Sequence, residues 1–317
     1  MKFMTVLAFL VLLVSAANAA SFDCAKAAAP REKAVCADPA LSKADEDVAA
    51  AYQAALAVDQ DTFSLRRDQR EWLGRLDNPN DTSHDYAAAY THRIDELNKI
   101  AAAWKGFPRT FAADKLAKTC FVTPEADDDQ TCAVEESGKV AGDDKLVYQL
   151  QGFFQDKLRL FGGAVVFAPG AGGALTPVVT GYSDTTHFSR PRIVVSPVGT
   201  FLWLPGYMEG TGNFNGEQLY LRVGDAWRDV DRDSWQNTMG RRLPKDLYAA
   251  KGIYPDYKKM IAITPLWDRN KDGNCCATGG RADVKLGLKG TTLVIEDLRV
   301  TRGEKAADSA QPKPSKE

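Results

Sequence analysis

The chain has 317 residues, 44% of them hydrophobic, with 40 basic and 42 acidic side chains. This length exceeds the usual size of one domain, so we expect two domains, with enough apolar side chains for sizeable cores. The charges are nearly balanced and form no basic stripe, which argues against a nucleic acid as a partner.

The first 19 residues have the pattern of a secretory signal peptide. Met1-Lys2 supplies a positive start, an apolar run extends from Phe3 to Ala16, and Ala17-Asn18-Ala19 fits a small-residue cleavage site. The apolar run is shorter than a comfortable membrane span, and no later segment has 18 consecutive apolar residues. We therefore predict an exported protein, periplasmic or secreted, with no membrane span in its mature chain.

Six cysteines in an exported chain indicate disulfides. They are Cys24, Cys36, Cys120, Cys132, Cys275 and Cys276. We predict that Cys24 pairs with Cys36, because the next cysteine is far along the chain. The other four allow three connectivities, including pairs between the adjacent Cys275-Cys276 and the two earlier cysteines. A zinc site is the alternative, but no Cys-x2-Cys or paired-histidine spacing supports it.

Residues 20–106 are predicted to form a small antiparallel helical domain. Asp38-Pro39 begins a helix, with an acceptor side chain at the N-cap and proline in the first turn. A second helix lies in LRRDQREWLGRL and ends at Asn78-Pro79. Thr82-x-x-Asp85 resembles a capping box before a third helix, which ends ahead of Gly106-Phe107-Pro108. Apolar residues at three- and four-residue steps predict the buried faces: Leu41, Ala44, Val48, Tyr52 and Ala55; Leu65, Trp72, Leu73 and Leu76; Tyr86, Tyr90, Ile94, Leu97 and Ile100-Ala101.

These segments resemble the N-terminal domain of the lysozyme inhibitor LprI family. The resemblance rests on DCAKAAAPREKAVCADPALSKADEDVAAAYQAAL, LRRDQREWLGRLD and AAAYTHRIDEL. The matching positions are Glu32, Lys33, Cys36, Leu41, Asp45, Tyr52, Gln69, Arg70, Trp72, Leu73, Tyr90, Arg93, Ile94 and Leu97. The chain departs from the pattern at Ala29, where the family has a capping Thr or Ser, and it lacks a second cysteine pair after the Trp-Leu helix. The resemblance implies a disulfide-linked helical domain and a basic lysozyme as its partner.

Residues 107–302 are predicted to form an antiparallel β-rich domain, as a meander, sandwich or open barrel, so the fold class is α+β. Alternating apolar residues mark two strands: Leu219, Leu221 and Val223 in EQLYLRV, and Ala282, Val284, Leu286 and Leu288 in RADVKLGL. A turn at Lys289-Gly290 leads to TTLVIEDLRV and completes a terminal hairpin. Further short strands are predicted in KLVYQL, GAVVFAP, TPVVTGY, RIVVSP and TFLWLP. DRDSWQNTMGRRL is a helical insert capped near Asp233 or Ser234, and residues 303–317 are expected to be a disordered tail.

The sequence offers no recognisable set of catalytic residues. Its three histidines, His84, His92 and His187, accompany no nucleophile-elbow, zinc-protease or phosphate-loop motif. The glycine-rich GTGNFNG at residues 210–216 lies between strands and is interpreted as a turn. We therefore predict a protein that is not an enzyme and holds no cofactor or metal.

Two acidic stretches leave alternatives open. Asp268, Asn270, Asp272 and Gly273 have the spacing of the first half of a calcium loop, but Gly279 stands where a bidentate Glu belongs. A tight turn is the prediction there, and calcium is the alternative. The second stretch is predicted to be a solvated loop, with an acidic patch for a basic partner as the alternative; it contains Glu125, Asp127, Asp128 and Asp129, followed by Glu135 and Glu136.

These observations favour an exported, non-enzymatic binding protein of the envelope that inhibits lysozyme by covering its cleft. Residues 21–105 carry 15 acidic and 11 basic side chains, a net charge of −4, which is compatible with a basic partner. The alternative is a small-ligand-binding or enzymatic envelope protein whose activity lies in the β-rich domain.

Overall fold

A computed structural model describes residues 20–59, 61–78, 85–121, 130–184, 186–208, 216–251, 253–273 and 276–303. Several sequence predictions lie outside these ranges: the signal peptide, Thr82 of the capping box, His84, the acidic residues 125–129, residues 210–215 of the glycine-rich turn, Cys275, and the tail from residue 304 onward. Among the helices that the structure describes, none combines the length and apolarity needed to cross a membrane.

The chain divides into two compact units. The first contains the chain as far as Val58 together with Asp68–Ala102, and the second contains Asp59–Arg67 together with the chain from Ala103 onward. The sequence placed residues 59–67 with the helical residues on either side, whereas their contacts group them with the second unit.

The helices of the N-terminal half are α1 (Pro30–Ala37), α2 (Pro39–Leu56), α3 (Thr62–Leu76) and α4 (Tyr86–Lys105). Asp38 caps α2 as predicted, and its carboxylate accepts a hydrogen bond from the Ala40 amide at 2.8 Å. The N-cap of α1 is Ala29, which has no side-chain acceptor. The Glu32 carboxylate instead accepts hydrogen bonds from the amides of Ala28 and Ala29 at 2.7 and 3.0 Å, so α1 is closed by one half of a capping box.

Two disulfides are present among the described residues. Cys24 pairs with Cys36, as the sequence predicts, and Cys120 pairs with Cys132. The second pair answers part of the question that the sequence left open, because Cys120 and Cys132 bond to each other and not to the adjacent Cys275-Cys276.

In the described part of the second unit, the strands form three antiparallel sheets and a short ribbon. The first sheet has β1 (Phe111–Ala112), β2 (Thr131–Val140), β3 (Asp143–Gln155), β4 (Leu158–Pro169) and β5 (Ala174–Asp184), in the order β1-β5-β4-β3-β2. The ribbon pairs β6 (Thr186–Phe188) with β9 (Gly206–Met208). The second sheet has β7 (Arg192–Ser196), β8 (Gly199–Leu204), β10 (Gln218–Val223) and β11 (Ala226–Asp229), in the order β11-β10-β8-β7.

The third sheet follows a short helix, α5 (Ser234–Arg242). It contains β12 (Leu247–Tyr248), β13 (Tyr254–Asp256), β14 (Ile261–Asp268), β15 (Gly280–Lys289) and β16 (Thr292–Thr301), in the order β12-β14-β15-β16 with β13 beside β14. Neighbours in the sheets are mostly neighbours in the chain, as in a meander, which is one of the three arrangements that the sequence allows. The α+β fold class is therefore confirmed.

The second sheet separates two cores, because successive side chains of a strand point to opposite faces. Leu202, Leu204 and Tyr220 pack with the first sheet, whereas Phe201 and Leu219 pack with α5 and the third sheet. The predicted inward residues Ala282, Val284 and Leu286 of β15 are 0, 2 and 1% exposed. In β10 the buried run ends before Val223, which is 49% exposed beside the turn at Gly224.

Candidate functional site

A cleft in the second unit is bordered on one side by α5. The N-cap position is Asp233, one of the two positions that the sequence allows, but the capping side chain is that of Asp231. Its carboxylate accepts hydrogen bonds from the amides of Asp233 and Ser234, both at 3.1 Å, and from the Ser234 hydroxyl at 2.6 Å. Trp235 and Met239 anchor one face of the helix and are each 1% exposed. The cleft is bordered by Gln236, Asn237, Gly240 and Arg241 of the same helix.

The segment that follows β12 forms the other side of the cleft. Tyr248 is paired with Trp267 in the β12–β14 register. The guanidinium of Arg269 lies over the Tyr248 ring, with its carbon 4.7 Å from the ring centroid. The ammonium of Lys251 lies 6.0 Å from the centroid of Trp267. Cation–π contacts of this kind contribute about 0.5–1 kcal/mol each at exposed sites. They hold two positive charges along the cleft.

The charge of the lining is strongly unequal. The cleft has a volume of about 470 Å³, within the range of small-molecule sites. Four cationic side chains line it, Arg232, Arg241, Lys251 and Arg269, against the single acidic side chain of Asp233. We call this site the cationic cleft. A second concavity of about 440 Å³ is balanced in charge, since its lining has Lys145 and Arg222 against Asp143 and Asp225.

Arg232 connects the cationic cleft to a buried polar cluster. The Tyr257 hydroxyl donates a hydrogen bond to the Glu217 carboxylate at 2.7 Å, and Arg232 Nη1 lies 3.7 Å from the same carboxylate. Glu217 and Tyr257 are 5 and 2% exposed. Burial raises the pKa of Glu217, although Arg232 and the Tyr257 hydrogen bond act to lower it. Burial also raises the pKa of Tyr257 well above its ordinary value. The cluster fixes the position of the Arg232 guanidinium.

The predicted turn at Asp268–Gly273 is built by its own acidic side chains. One Asp272 oxygen accepts hydrogen bonds from the amides of Asp268 and Thr278 at 2.6 and 2.8 Å, and the other accepts from the Thr278 hydroxyl at 2.5 Å. The Asp268 carboxylate accepts from the Asn270 amide at 2.9 Å. Burial acts to raise the pKa of Asp272, but hydrogen bonds from Thr278 and from the amides of Asp268 and Gly279 together lower it. These contacts are those of an Asx-stabilised turn.

In the described part of the second acidic stretch, Glu135 and Glu136 each form an ion pair with an arginine. Arg159 pairs with Glu135 at 2.9 Å, and Arg190 pairs with Glu136 at 2.6 Å. The Tyr148 hydroxyl also donates a hydrogen bond to Glu136 at 2.6 Å. Burial is the main cause, and this hydrogen bond the second cause, that raises the pKa of Tyr148 to about 12. These two glutamates therefore present a neutralised surface and contribute little to an acidic patch.

The two histidines that the structure describes, His92 and His187, lie outside both the cleft and the buried cluster. His92 is 76% exposed on α4, with Nδ1 3.5 Å from Glu96. His187 stacks on Tyr207 with 5.0 Å between ring centroids. Neither lines the cationic cleft.

In the first unit, residues of the LprI-like pattern form a buried network. Tyr90 accepts a hydrogen bond from Arg31 Nη1 at 3.1 Å and donates one to Asp45 at 2.9 Å. The second Asp45 oxygen accepts from the amide and hydroxyl of Ser21 at 2.8 and 2.6 Å. Burial raises the pKa of Tyr90. The pattern residues thus hold the N-terminal segment against α2 and α4.

A second group of pattern residues joins α3 to α4. Arg93 Nε donates a hydrogen bond to Gln69 at 3.0 Å, and the Arg93 guanidinium lies over the Trp72 ring at 5.9 Å. Trp72 in turn meets Tyr90 edge-on, with 5.3 Å between ring centroids. Gln69, Trp72 and Arg93 are all buried, so these contacts link α3 to α4 in the interior of the unit.

Sequence reasoning did not find the cationic cleft. Its basic residues are spread from Arg232 to Arg269 and form no motif. The sequence predicts the helical insert, but no local signal indicates that Arg241 and Arg269 border one cavity.

No family model matches the chain, and no curated protein matches it significantly.

Proposed function

We propose that the protein is an exported, non-enzymatic binding protein, periplasmic or secreted, whose first unit binds a basic lysozyme and covers its cleft. One observation supports this proposal above the others: the residues shared with the LprI pattern form the connected network of Asp45, Tyr90, Gln69, Arg93 and Trp72. A framework of this kind presents the outer helix faces as a rigid surface, as an inhibitor requires.

Charge supports the choice of partner. The segment 21–105 has a net charge of −4, and Glu46 of α2 and Asp95 of α4 are exposed. Lysozymes of the host type are basic and cleave with two carboxylates in a cleft. Attraction between opposite charges accelerates association, and at physiological salt this attraction is screened beyond about 8 Å.

The test is clearing of a peptidoglycan suspension by a host-type lysozyme, with the full mature protein in molar excess, at low and at physiological salt. We expect slower clearing, with a larger effect at low salt. The double variant Glu46→Gln/Asp95→Asn should inhibit less at low salt, because exposed charges at the rim of an interface set the association rate.

The matched control is Glu296→Gln/Asp297→Asn, which removes the same two charges from exposed positions of β16. It should inhibit like the natural protein. Clearing that is unchanged by the natural protein at both salt concentrations would refute the proposal.

The cationic cleft supports a second candidate function, the binding of a small ligand in the second unit. Its volume and its surplus of positive charge are the specific observations in favour.

A further inference from the structure

We propose that the cationic cleft is a binding site for one small, multiply charged oxyanion, a molecule that carries a phosphate or two or more carboxylates. This site goes beyond lysozyme binding and uses only residues of the second unit. The charge of the lining carries the argument, since four cations face one carboxylate in a space of about 470 Å³.

Arg241 and Arg269 are positioned by neutral side chains of the protein. Arg241 Nη2 donates a hydrogen bond to the Thr238 hydroxyl at 3.2 Å, and Arg269 lies over the ring of Tyr248. Among the described residues, no carboxylate forms an ion pair with either guanidinium. Both retain donors that a ligand can use, and a planar guanidinium suits the paired oxygens of carboxylate and phosphate groups.

Arg232 supplies a third guanidinium with a different role. Its side chain is only 12% exposed, and Glu217 and Asp233 each lie 3.7 Å from it. It is therefore held in place before a ligand arrives, and pre-positioned donors lose less entropy on binding. Gln236 and Asn237 of α5 add amide groups to the same lining, which can donate to further ligand oxygens.

The charge surplus selects the class of ligand. A neutral ligand would leave the guanidinium groups of Arg241 and Arg269 without an anionic partner, and a singly charged ion would balance only one of the two. An anion with two or more charges balances both, and a cleft of this volume fits a small molecule.

The test uses isothermal titration calorimetry of the full mature protein with two probes, inorganic pyrophosphate and citrate, at constant ionic strength. Chloride serves as the singly charged comparison. We expect saturable binding of one equivalent of pyrophosphate, citrate or both, and none of chloride. The probe that binds more tightly identifies the site as preferring phosphate or carboxylate oxygens.

Two kinds of variant locate the binding. Arg241→Gln and Arg269→Gln should each weaken binding by about tenfold, as expected for the loss of a charge-assisted hydrogen bond. Arg299→Gln is the matched control, since it removes one positive charge from a side chain of the same unit that is 81% exposed and outside the cleft. It should leave binding unchanged.

Gly240 provides a variant that does not depend on removing an arginine. A Cβ atom placed at Gly240 meets nothing within 4 Å, so larger side chains fit at this point of the lining. Gly240→Glu should weaken binding at least about threefold more than the isosteric Gly240→Gln, because it adds a negative charge to the cleft.

Circular dichroism should show that the variants are folded. Absence of saturable binding of both probes to the natural protein would overturn the proposal. So would equal weakening by Arg299→Gln and Arg269→Gln, because it would show that general charge, and not the cleft, attracts the anion.

Discussion

Buried charged side chains occur in both units, and each is held by polar partners. Arg31 is 6% exposed and lies within 3.5 Å of oxygens from Asp45, Tyr90 and Asp77. Glu217 is 5% exposed; it accepts a hydrogen bond from the Tyr257 hydroxyl and lies 3.7 Å from Arg232. A buried charge without such partners costs several kcal/mol. Single substitutions at these positions should therefore have large effects that exposed positions do not show.

Asp45→Asn should destabilise the first unit by about 2 kcal/mol, because it removes a negative charge that lies 3.5 Å from the buried Arg31. Urea unfolding of the full chain, followed by far-UV circular dichroism, measures the change. Asp47→Asn is the matched control on the same helix. Its carboxylate is 47% exposed and pairs with the exposed Lys43, so its effect should stay within about 0.5 kcal/mol. Equal losses from both variants would contradict the role of the network.

Glu217 gives the stability of the second unit a pH dependence of definite sign. Its pKa is raised in the folded state, so folding favours the protonated carboxyl, and its contribution to stability falls as the pH rises through the unfolded pKa of about 4.3. Glu217→Gln keeps the size of the side chain and removes this titration. We expect the free energy of unfolding of the variant, relative to the natural protein, to increase between about pH 4 and pH 7.

Urea unfolding at the two pH values measures this difference. The exposed Glu296→Gln should show a smaller change over the same range. A relative stability of Glu217→Gln that decreases with pH would contradict a raised pKa.

At the level of elements, helix ends and turns depend on particular side chains and backbone angles. Asp38 caps the N-terminus of α2 from the N-cap position. The N-terminus of α1 is capped by Glu32, a residue of its first turn, and that of α5 by Asp231, which precedes the helix. In each case a carboxylate accepts from amides that have no partner within the helix. The same carboxylates also complement the positive end of the helix dipole.

The Cys24–Cys36 disulfide should stabilise the N-terminal segment by roughly 3 kcal/mol, since it closes a loop between residues 12 positions apart. The double variant Cys24→Ser/Cys36→Ser should lose this amount in urea unfolding under oxidising conditions. Mass mapping of a non-reduced digest should find the linked peptides. Two free thiols at these positions would contradict the structure.

Two glycines should respond in opposite ways to alanine. Gly290 in the β15–β16 turn has φ +62°, whereas Gly240 lies inside α5, and a Cβ atom meets nothing within 4 Å at either position. Gly290→Ala should cost about 1 kcal/mol, because an L-residue is strained at positive φ. Gly240→Ala should stabilise the protein by up to about 1 kcal/mol, because alanine favours helix. Thermal unfolding measures both, and effects of the same sign would contradict these backbone conformations.

At the scale of the whole molecule, the end of α4 belongs to the second unit. Trp104 is fully buried and meets Phe107 edge-on at 5.1 Å; Phe107 meets Phe121 at 5.2 Å, and Phe121 meets Phe167 of β4 at 5.5 Å. This chain of rings extends from residue 104 into the first sheet. The predicted division at Gly106-Phe107-Pro108 therefore falls inside a packed aromatic cluster.

Trp104→Ala should loosen the second unit, because removal of a buried indole costs about 3–5 kcal/mol. Hydrogen exchange followed by mass spectrometry should show faster exchange in β3 and β4. Trp72→Ala, which removes a ring that packs on Tyr90, should instead accelerate exchange in α2 and α4. Faster exchange of α2 alone in Trp104→Ala would contradict the assignment of Trp104 to the second unit.

The sequence by itself determined the features that depend on local signals. These are the start of α2 at Asp38-Pro39, the Cys24–Cys36 disulfide, the buried face of β15 and the hairpin turn at Gly290. Capping geometry, short loop closure, a two-residue period and positive φ act over a few residues, so they can be read without the fold. For the same reason the LprI-like pattern included residues of the buried network, such as Asp45 and Tyr90.

Only the tertiary structure decided which remote residues meet. It paired Cys120 with Cys132, grouped residues 59–67 with the second unit, and placed Arg241 and Arg269 in the lining of the cationic cleft. Bond formation and charge–charge interaction depend on distances in space, and those distances follow from how sheets and helices pack. Single basic residues have no periodicity and no spacing rule, so nothing in the order of the amino acids could show that they surround one cavity.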